Sequence, residues 1–376
     1  MGSRICTLFI VMLAFAAGLP TRSHAQSEES TGAVFVMTNS ASRNEIVAYK
    51  RHADGSLQEG HRFSTGGRGS GGVTDPLGSQ GSLTLTTDRS LLLAVNAGSG
   101  TVSVFRVHGA QLWLIDKVIC RGSEPVAVAQ HGHLVYVLNA GGTSNVVGFR
   151  LEFTGRLRPI EKSISFLTTA NSGAASLAFS PDGQFLLVTE KLTNTVDVFR
   201  VHADGTLGPI TTTPSVGPGL FAVAFAPNGT AITTETGPVG GTNASAISSY
   251  AVLSNGTLSP ISASVPTFGA ATCWQVVTPD GRFVYTSNAG SASISGFALG
   301  DNGVLTPLFD TVLATQPAGS TNLDIAMSAD GKFLYTLNSG TGTVGMFAVN
   351  NDGSLTSLGD IGELPASAGL NGIAAI

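Results

Sequence analysis

The sequence predicts an all-β fold, a seven-bladed β-propeller with four antiparallel strands per blade, and three observations support this prediction. Two kinds of tight turn alternate along the chain, an apolar strand repeats between them, and each end of the repeat array carries an unpartnered strand. Sequence repeats with a period of 40 to 50 residues are typical of propellers. The repeat is marked by one aromatic position per unit, occupied by Tyr49, Phe105, Phe149, Phe199, Tyr250, Phe297 and Phe347.

The fourth unit shows the predicted blade most completely. Residues 175–180 form a first apolar strand, and Pro181-Asp182-Gly183 forms a tight turn. Residues 185–188 then form a second strand, and residues 195–199 form a third. The sequence Ala203-Asp204-Gly205 is a second turn, leading into a fourth strand, since Asp-Gly dipeptides supply the positive φ that tight hairpins need.

The two ends of the repeat array predict that the ring is closed. The first unit begins at Ala33 directly with a second strand, whereas residues 371–376 resemble a first strand that has no unit of its own. We therefore expect the last residues to pair into blade 1, which removes the open sheet edge. A solenoid is the alternative, but it needs capping repeats and leaves the two orphan strands unexplained.

The N-terminus resembles a signal peptide. Arg4 precedes an apolar run from Ile5 to Leu19, and Ala25 ends a stretch suited to cleavage. The run is shorter than the roughly 20 residues that a membrane anchor needs. We expect a signal peptide over residues 1–25, a short linker over 26–32, and a single propeller domain over 33–376. The mature protein would be periplasmic or secreted, without membrane attachment after cleavage.

Composition excludes several classes of function. The net charge is −5, charged residues make up only 11%, and no basic stripe occurs, so nucleic-acid binding is not expected. Cys120 and Cys273 fall on different predicted blades, which indicates two unpaired thiols. No ligand cluster or nucleotide motif predicts a metal or any other cofactor.

One rim of the ring carries the loops after the second strands, and loops on a rigid scaffold often carry function. Glu190 and Glu235 are candidate general bases there, with Lys191 as an electrostatic stabiliser. Solvated loop charges are the alternative. Asparagines occupy the same position in other blades and either bind a ligand or cap the local backbone in Asx-turns. These are Asn96, Asn139, Asn288 and Asn338.

The same rim carries the residues that enter the first strands. Ser82, Trp274 and Asp324 are candidate ligand contacts, with Trp274 either stacking on a flat or sugar-like ligand or filling the channel. A Gly-rich insertion over residues 66–82 leads into blade 2 and contributes Asp75 and Gln80 as further candidates. Its backbone N–H groups could form an anion nest, or the segment could be a flexible rim loop.

Four kinds of segment resemble the seven-bladed lactonase family, which includes bacterial 6-phosphogluconolactonases and the fungal carboxy-muconate lactonizing enzyme. They are residues 75–83, 96–105 and 180–186, together with the Asp-Gly-Thr/Ser-Leu turns. The resemblance implies the propeller fold and a small-molecule lactone substrate. The Arg-His and Asn-Glu pairs of active members align with Ala175-Ser176 and Glu190-Lys191, so the usual catalytic set is not matched.

Two functions follow as hypotheses. The first is an exported hydrolase that opens a lactone or related cyclic ester at the channel rim. The second is a non-catalytic exported propeller that binds a sugar-like ligand or a partner protein through its rim loops. Family analogy supports the first hypothesis, and the low charge of the rim supports the second.

Overall fold

The computed structural model describes residues 1–2 and 32–376, which form seven four-stranded antiparallel sheets. Most of the predicted signal peptide and most of the predicted linker lie outside the described residues. Each sheet is one blade, and consecutive strands pair within it, except that the last strand of the chain joins the first sheet. The prediction of a seven-bladed propeller is confirmed.

The strands run from the channel outwards in each blade. Blade 1 contains β1 (Gly32–Met37), β2 (Glu45–Arg51) and β3 (Leu57–Ser64). Blade 2 contains β4 (Leu83–Leu85), β5 (Leu91–Asn96), β6 (Thr101–His108) and β7 (Gln111–Ile119). Blade 3 contains β8 (Ser123–His131), β9 (Leu134–Gly141), β10 (Asn145–Leu151) and β11 (Leu157–Phe166). Blade 4 contains β12 (Ala174–Phe179), β13 (Phe185–Glu190), β14 (Thr195–Val201) and β15 (Leu207–Pro214).

The last three blades follow the same order. Blade 5 contains β16 (Leu220–Phe225), β17 (Ala231–Glu235), β18 (Ala246–Val252) and β19 (Leu258–Pro266). Blade 6 contains β20 (Thr272–Val277), β21 (Phe283–Asn288), β22 (Ser293–Leu299) and β23 (Leu305–Thr315). Blade 7 contains β24 (Asn322–Met327), β25 (Phe333–Asn338), β26 (Thr343–Val349) and β27 (Leu355–Ile361). The final strand, β28 (Ile373–Ala375), completes blade 1.

The ring closes as the orphan strands predict. Strand β28 pairs antiparallel with β1, with Val34 opposite Ala375 and Val36 opposite Ile373. The first and last segments of the described propeller therefore share one sheet. This pairing covers the inner edge of β1, which would otherwise be an open sheet edge.

The repeated aromatic position packs the blades together. All seven aromatics lie on the third strand of their blade and are at most 2% exposed. The Asp-Gly turns adopt the positive φ expected of them, as at Gly205 (φ 80°). The hydroxyl of Tyr136 donates to the Gly205 carbonyl of the next blade at 2.8 Å, so the turn also joins neighbouring blades. Cys120 and Cys273 are buried and unpaired, as predicted.

Two faces of the disc differ in their loops. The turn face carries the Pro-Asp-Gly and Asp-Gly turns. The insertion face carries the ends of the second strands and the insertion over residues 66–82. Among the described residues, no helix is long and apolar enough to span a bilayer.

Candidate functional site

The Gly-rich insertion is tied to the insertion face by backbone hydrogen bonds to several blades. Gly69 N donates to Ser40 O at 2.8 Å in blade 1, and Gly98 N of blade 2 donates to Arg68 O at 3.0 Å. Near the C-terminus, Gly369 N donates to Val73 O at 3.1 Å. The insertion is therefore an ordered part of the propeller rather than a loop free of contacts.

The second half of the insertion lies across the central channel. Gln80 N donates to the carbonyl of Ala175 in blade 4 at 3.0 Å. The indole N–H of Trp274 in blade 6 donates to Ser79 O at 2.9 Å, and Ser79 Oγ donates to Val126 O of blade 3 at 2.9 Å. Since these partners lie on first strands of three blades, residues 77–82 fill the mouth of the channel on the insertion face.

The carboxyl group of Asp75 lies partly exposed at this mouth. Gly78 N and Asn371 Nδ2 each donate to its Oδ1 at 3.0 Å. Burial raises the pKa of Asp75 to about 6, although the nearby Lys191 and these hydrogen bonds oppose the increase. A carboxylate of this pKa is a suitable general base near neutral pH.

Lys191 reaches the same mouth from blade 4. Its Nζ donates to Gly78 O and lies 5.1 Å from the centre of the Phe221 ring. Burial lowers the pKa of Lys191, and the charge of Asp75 opposes that change. An ammonium has three donors, so the bond to Gly78 leaves donors for a ligand.

Asp324 lies deeper in the wall of the channel. Its Oδ1 accepts Ile325 N at 2.9 Å and its Oδ2 accepts Ile373 N of the closing strand at 3.2 Å. Burial raises the pKa of Asp324 to about 7, and the charge of Asp75 raises it further. Asp324 therefore bridges blade 7 to β28 and carries an easily protonated carboxyl group.

The other residues of this region that the sequence predicts as ligand contacts pack against or hydrogen-bond to the protein itself. Trp274 is buried with its ring 5.1 Å from that of Phe221, which makes it part of the channel filling. Gln80 Nε2 donates to Gln275 O at 2.7 Å. Ser82 Oγ donates to Asn371 Oδ1 at 2.9 Å. These residues position the insertion, whereas Asp75 and Lys191 are the partly exposed charged groups.

Glu190 lies beside Lys191 in sequence but away from the mouth. It is fully buried, and its carboxylate accepts Thr168 N, Thr168 Oγ1, Thr193 Oγ1 and Thr195 Oγ1. Burial raises its pKa, but the hydrogen bonds from Thr168 and Thr193 outweigh that effect and leave the pKa below its ordinary value. A weakly basic and enclosed carboxylate is poorly suited to general-base catalysis.

Glu235 occupies the corresponding position in blade 5. Its carboxylate is also buried and accepts Ser248 Oγ at 2.6 Å and Ser264 Oγ at 2.7 Å. The carboxylate fits there because residue 217 is glycine: a Cβ at Gly217 would lie 1.9 Å from Glu235 Oε2. Neither glutamate is hydrogen-bonded to the insertion.

The asparagines at the same position in other blades hydrogen-bond their own blade. Asn288 Nδ2 donates to Ser293 Oγ at 3.0 Å and Ser295 Oγ at 2.8 Å. Asn96 bonds the equivalent Thr101 and Ser103. Each of the predicted asparagines is fully buried and donates within the protein; they are Asn96, Asn139, Asn288 and Asn338. In this structure their side chains join the second strand to the third.

The structure thus brings Asp75, Lys191 and Asp324 into one region and leaves Glu190 and Glu235 outside it. Asn371 and Phe221 belong to this region and are not among the sequence candidates. Asn371 could have been found from its place just before the closing strand, level with the residues that enter the other first strands. Among the described residues, no cluster of three or more His, Cys, Asp or Glu side chains could hold a metal ion.

Comparisons with known proteins agree with this architecture. Residues 167–274 match the family model described as lactonase, 7-bladed beta-propeller. No curated protein matches the sequence. The match supports the resemblance to the lactonase family that the sequence indicates, and the chain is a lactonase-like propeller.

Solved structures of low sequence identity share the fold. The periplasmic gluconolactonase PpgL of Pseudomonas aeruginosa has a TM-score of 0.67 at 19% identity, covering 92% of this chain and 99% of its own. A Bacteroides uniformis protein proposed to be a 6-phosphogluconolactonase gives 0.67 at 18% identity, covering 92% and 99%. Hydrazine synthase of Kuenenia stuttgartiensis gives 0.57 at 16% identity, covering 88% and 99%. At such identities, the likeness concerns the fold alone.

Proposed function

We propose that this lactonase-like propeller is an exported hydrolase that opens a lactone at the channel mouth of its insertion face. The observation that carries this proposal is that Lys191 and Asp75 lie close together at the channel mouth. Lys191 Nζ donates to Gly78 O, and its charge acts on the carboxyl group of Asp75. Both are partly exposed, and the pKa of Asp75 is raised to about 6. The site thus offers a base that is active near neutral pH and a cation beside it.

Lactone hydrolysis needs a base for water, a stabilised carbonyl oxygen and a proton for the leaving alkoxide. Asp75 takes a proton from the attacking water, whose oxygen bonds to the carbonyl carbon. The Lys191 ammonium faces the negative charge that develops on the carbonyl oxygen. When the ring C–O bond breaks, protonated Asp75 returns its proton to the alkoxide, which gives a hydroxy acid.

Asn371 is a positioning residue in this scheme. Its amide donates to Asp75 Oδ1 and accepts Ser82 Oγ, which fixes the carboxyl group relative to the insertion. Asn371 directly precedes β28, so ring closure and the orientation of the base depend on the same segment. Removal of the amide is expected to impair turnover more than ligand binding.

Export rests on the predicted signal peptide, residues 1–25, and agrees with the periplasmic location in the name of the Pseudomonas gluconolactonase. The proposed mature chain starts after Ala25 and contains the complete propeller. Its substrate would be a small molecule outside the cytoplasm.

A second candidate function is binding of a sugar-like ligand or a partner protein without turnover. One observation favours it: Lys191 Nζ already bonds Gly78 O, and Asp75 Oδ1 already accepts two hydrogen bonds. Both charged groups thereby anchor the insertion. In a protein that binds without turnover, holding the insertion in place would be the only role of these two groups.

Turnover of sugar, aryl and homoserine lactones by the purified mature protein at pH 7 tests the proposal. Asp75→Asn is expected to lower kcat/KM by about 10²- to 10⁴-fold, the usual contribution of a general base. Glu190→Gln is expected to leave kcat/KM within about threefold, since Glu190 is enclosed by threonines.

Asp352→Asn, in an Asp-Gly turn on the turn face, is the matched control for loss of one carboxylate. Turnover that survives in Asp75→Asn, or is lost in Glu190→Gln while the fold persists, would contradict the assignment of Asp75. Specific binding of a lactone with no turnover of any panel member would establish the second candidate instead.

A further inference from the structure

On the turn face, arginines fill grooves between neighbouring blades. The arginine follows the buried aromatic of the third strand and crosses to the next blade's turn. Arg150 Nη2 donates to Asp204 O at 3.0 Å, and Arg200 Nη2 donates to Ser254 O. The guanidinium of Arg200 also lies 4.7 Å from the centre of the Phe185 ring. Each such groove thus offers a carbonyl oxygen from the turn of the next blade and an apolar surface beside it. We call this position, which a guanidinium occupies, the seat.

The groove between blades 6 and 7 is filled in another way. Residue 298 is alanine there, but Arg282 enters from the Pro-Asp-Gly turn and donates to Asn351 O at 3.3 Å. Its guanidinium lies 4.9 Å from the centre of the Phe283 ring. The seat is therefore occupied by an arginine of different origin.

The groove between blades 5 and 6 has neither arginine. Ala251 follows the aromatic Tyr250, and Thr230 stands where blade 6 has Arg282. A cavity of about 540 Å³ lies over this groove, with Ala251 and Thr230 among its lining residues. It extends across blade 5 to the Pro-Asp-Gly turn of blade 4. That volume falls within the range of small-molecule sites.

The walls of this cavity carry negative charge and no positive charge. Asp182 and Asp301 line it from opposite sides, and no lysine, arginine or histidine does. Ser180 and Gln184 bond only Oδ1 of Asp182, which leaves Oδ2 for a ligand. Hydrogen bonding to Ser180 holds the pKa of Asp182 below its ordinary value, so its carboxylate is charged at neutral pH.

Apolar groups complete the cavity. Pro181, Pro227, Phe185 and Ile261 supply flat or aliphatic surface. A planar guanidinium combines such faces with in-plane donors, and it is more weakly hydrated than an ammonium. The cavity therefore matches the guanidinium in shape and in charge.

We propose that the groove between blades 5 and 6 binds a guanidinium group, supplied by a small guanidino compound or by an arginine side chain of a peptide. The ligand occupies the seat that Arg200 and Arg282 fill in the two adjoining grooves. Asp182 and Asp301 place negative charge around the seat, as Asp280 does for Arg282 at 2.7 Å, and this charge favours a cation from solution. This site lies on the turn face, opposite the proposed lactone site.

Titration with methylguanidinium chloride, followed by NMR of the Ile261 and Val252 methyl groups in the mature protein, tests the proposal. We expect saturable shifts with a Kd of roughly 1 mM or below, as befits one small cation in a partly exposed site. Sodium chloride and methylammonium chloride at equal concentration should cause no such saturation. An acetylated Gly-Arg-Gly amide that binds more tightly than methylguanidinium would point to a peptide as the source, and the reverse order to a free compound.

Ala251→Arg should fill the seat from within the chain and weaken methylguanidinium binding at least tenfold. Ala298→Arg is the matched control, because its groove already contains Arg282, and it should leave binding unchanged. Asp182→Asn combined with Asp301→Asn should also weaken binding at least tenfold. Absence of saturable shifts up to 50 mM in the folded protein, about fifty times the expected Kd, or unchanged binding in Ala251→Arg, would overturn the proposal.

Discussion

Asp75, in the insertion, and Glu190, at the end of β13, both belong to the insertion face, yet their carboxyl groups differ in chemistry. Glu190 is fully buried and has a lowered pKa, whereas Asp75 is partly exposed and has a raised one. Burial raises the pKa of both carboxyl groups, and hydrogen bonds lower the pKa of both. At Asp75, burial outweighs the two amide donors and raises the pKa. At Glu190, threonine hydroxyls and a backbone N–H outweigh burial and lower the pKa.

The contrast distinguishes two roles of carboxyl groups in this propeller, one structural and one in proton exchange. At the end of a second strand, Glu190 takes the place that asparagine has in other blades and joins strands through hydroxyl groups. At Asp75 in the channel mouth and at Asp324 in the channel wall, burial outweighs the hydrogen bonds and raises the pKa. The balance between burial and hydrogen-bond supply therefore distinguishes the carboxyl groups that can exchange protons.

The largest expected effect concerns Asp324 and the dependence of stability on pH. Its folded pKa of about 7 lies above the ordinary 3.8, so ionisation above that value opposes folding. Its contribution to the unfolding free energy should be fully present below about pH 4 and fall by up to about 4 kcal/mol as the pH rises to 7. In Asp324→Asn, that part of the decrease should be missing.

Urea unfolding at several pH values between 4 and 8 measures this difference in slope. Asparagine tolerates the left-handed backbone of residue 324 (φ 78°), so the replacement introduces no backbone strain. Asp197, whose pKa is also raised, remains in both proteins as an internal control. Equal slopes in the two proteins would contradict the assignment to Asp324.

A smaller effect should separate Glu190 from Asp75 directly. Glu190→Ala removes the carboxylate that accepts hydrogen bonds from the Thr168 N–H and from the hydroxyls of Thr168, Thr193 and Thr195, which should lower the unfolding free energy by about 3 kcal/mol. Asp75→Ala should lower it by less than about 1 kcal/mol, because removal of a carboxyl group that is disfavoured when charged offsets the loss of the hydrogen bonds from Gly78 N and Asn371 Nδ2. Denaturation midpoints at pH 7 compare the two variants, and similar losses would remove the distinction between these environments.

The smallest effect concerns the charge that Lys191 places near Asp75. This charge lowers the pKa of Asp75, so Lys191→Met should raise it. If Asp75 is the base, the acid limb of the pH profile of kcat/KM should move to higher pH by about one pH unit. Lys332→Met, on the turn face, controls for the loss of one positive charge; an unmoved limb in Lys191→Met would argue against Asp75 as the titrating group.

Much of the propeller could be predicted from local sequence. The seven aromatics, the Asp-Gly turns and the orphan strand before Ile376 each reflect short-range rules of strand alternation and turn geometry, and all of them have the predicted place. The rim candidates were harder to rank. Glu190 and Asn288 stand in sequence where a second strand meets a rim loop, which made them candidates. In the structure their side chains form hydrogen bonds within their own blades.

The amino-acid sequence by itself determined the number of blades, the closure of the ring and the segments that face the channel, because these follow from periodicity along the chain. Only the tertiary structure decided which charged groups meet. Asp75 and Lys191 are more than a hundred residues apart, and their pKa values depend on burial and on donors from the insertion, blade 4 and the closing segment. Such values are set by three-dimensional proximity, which no local pattern records.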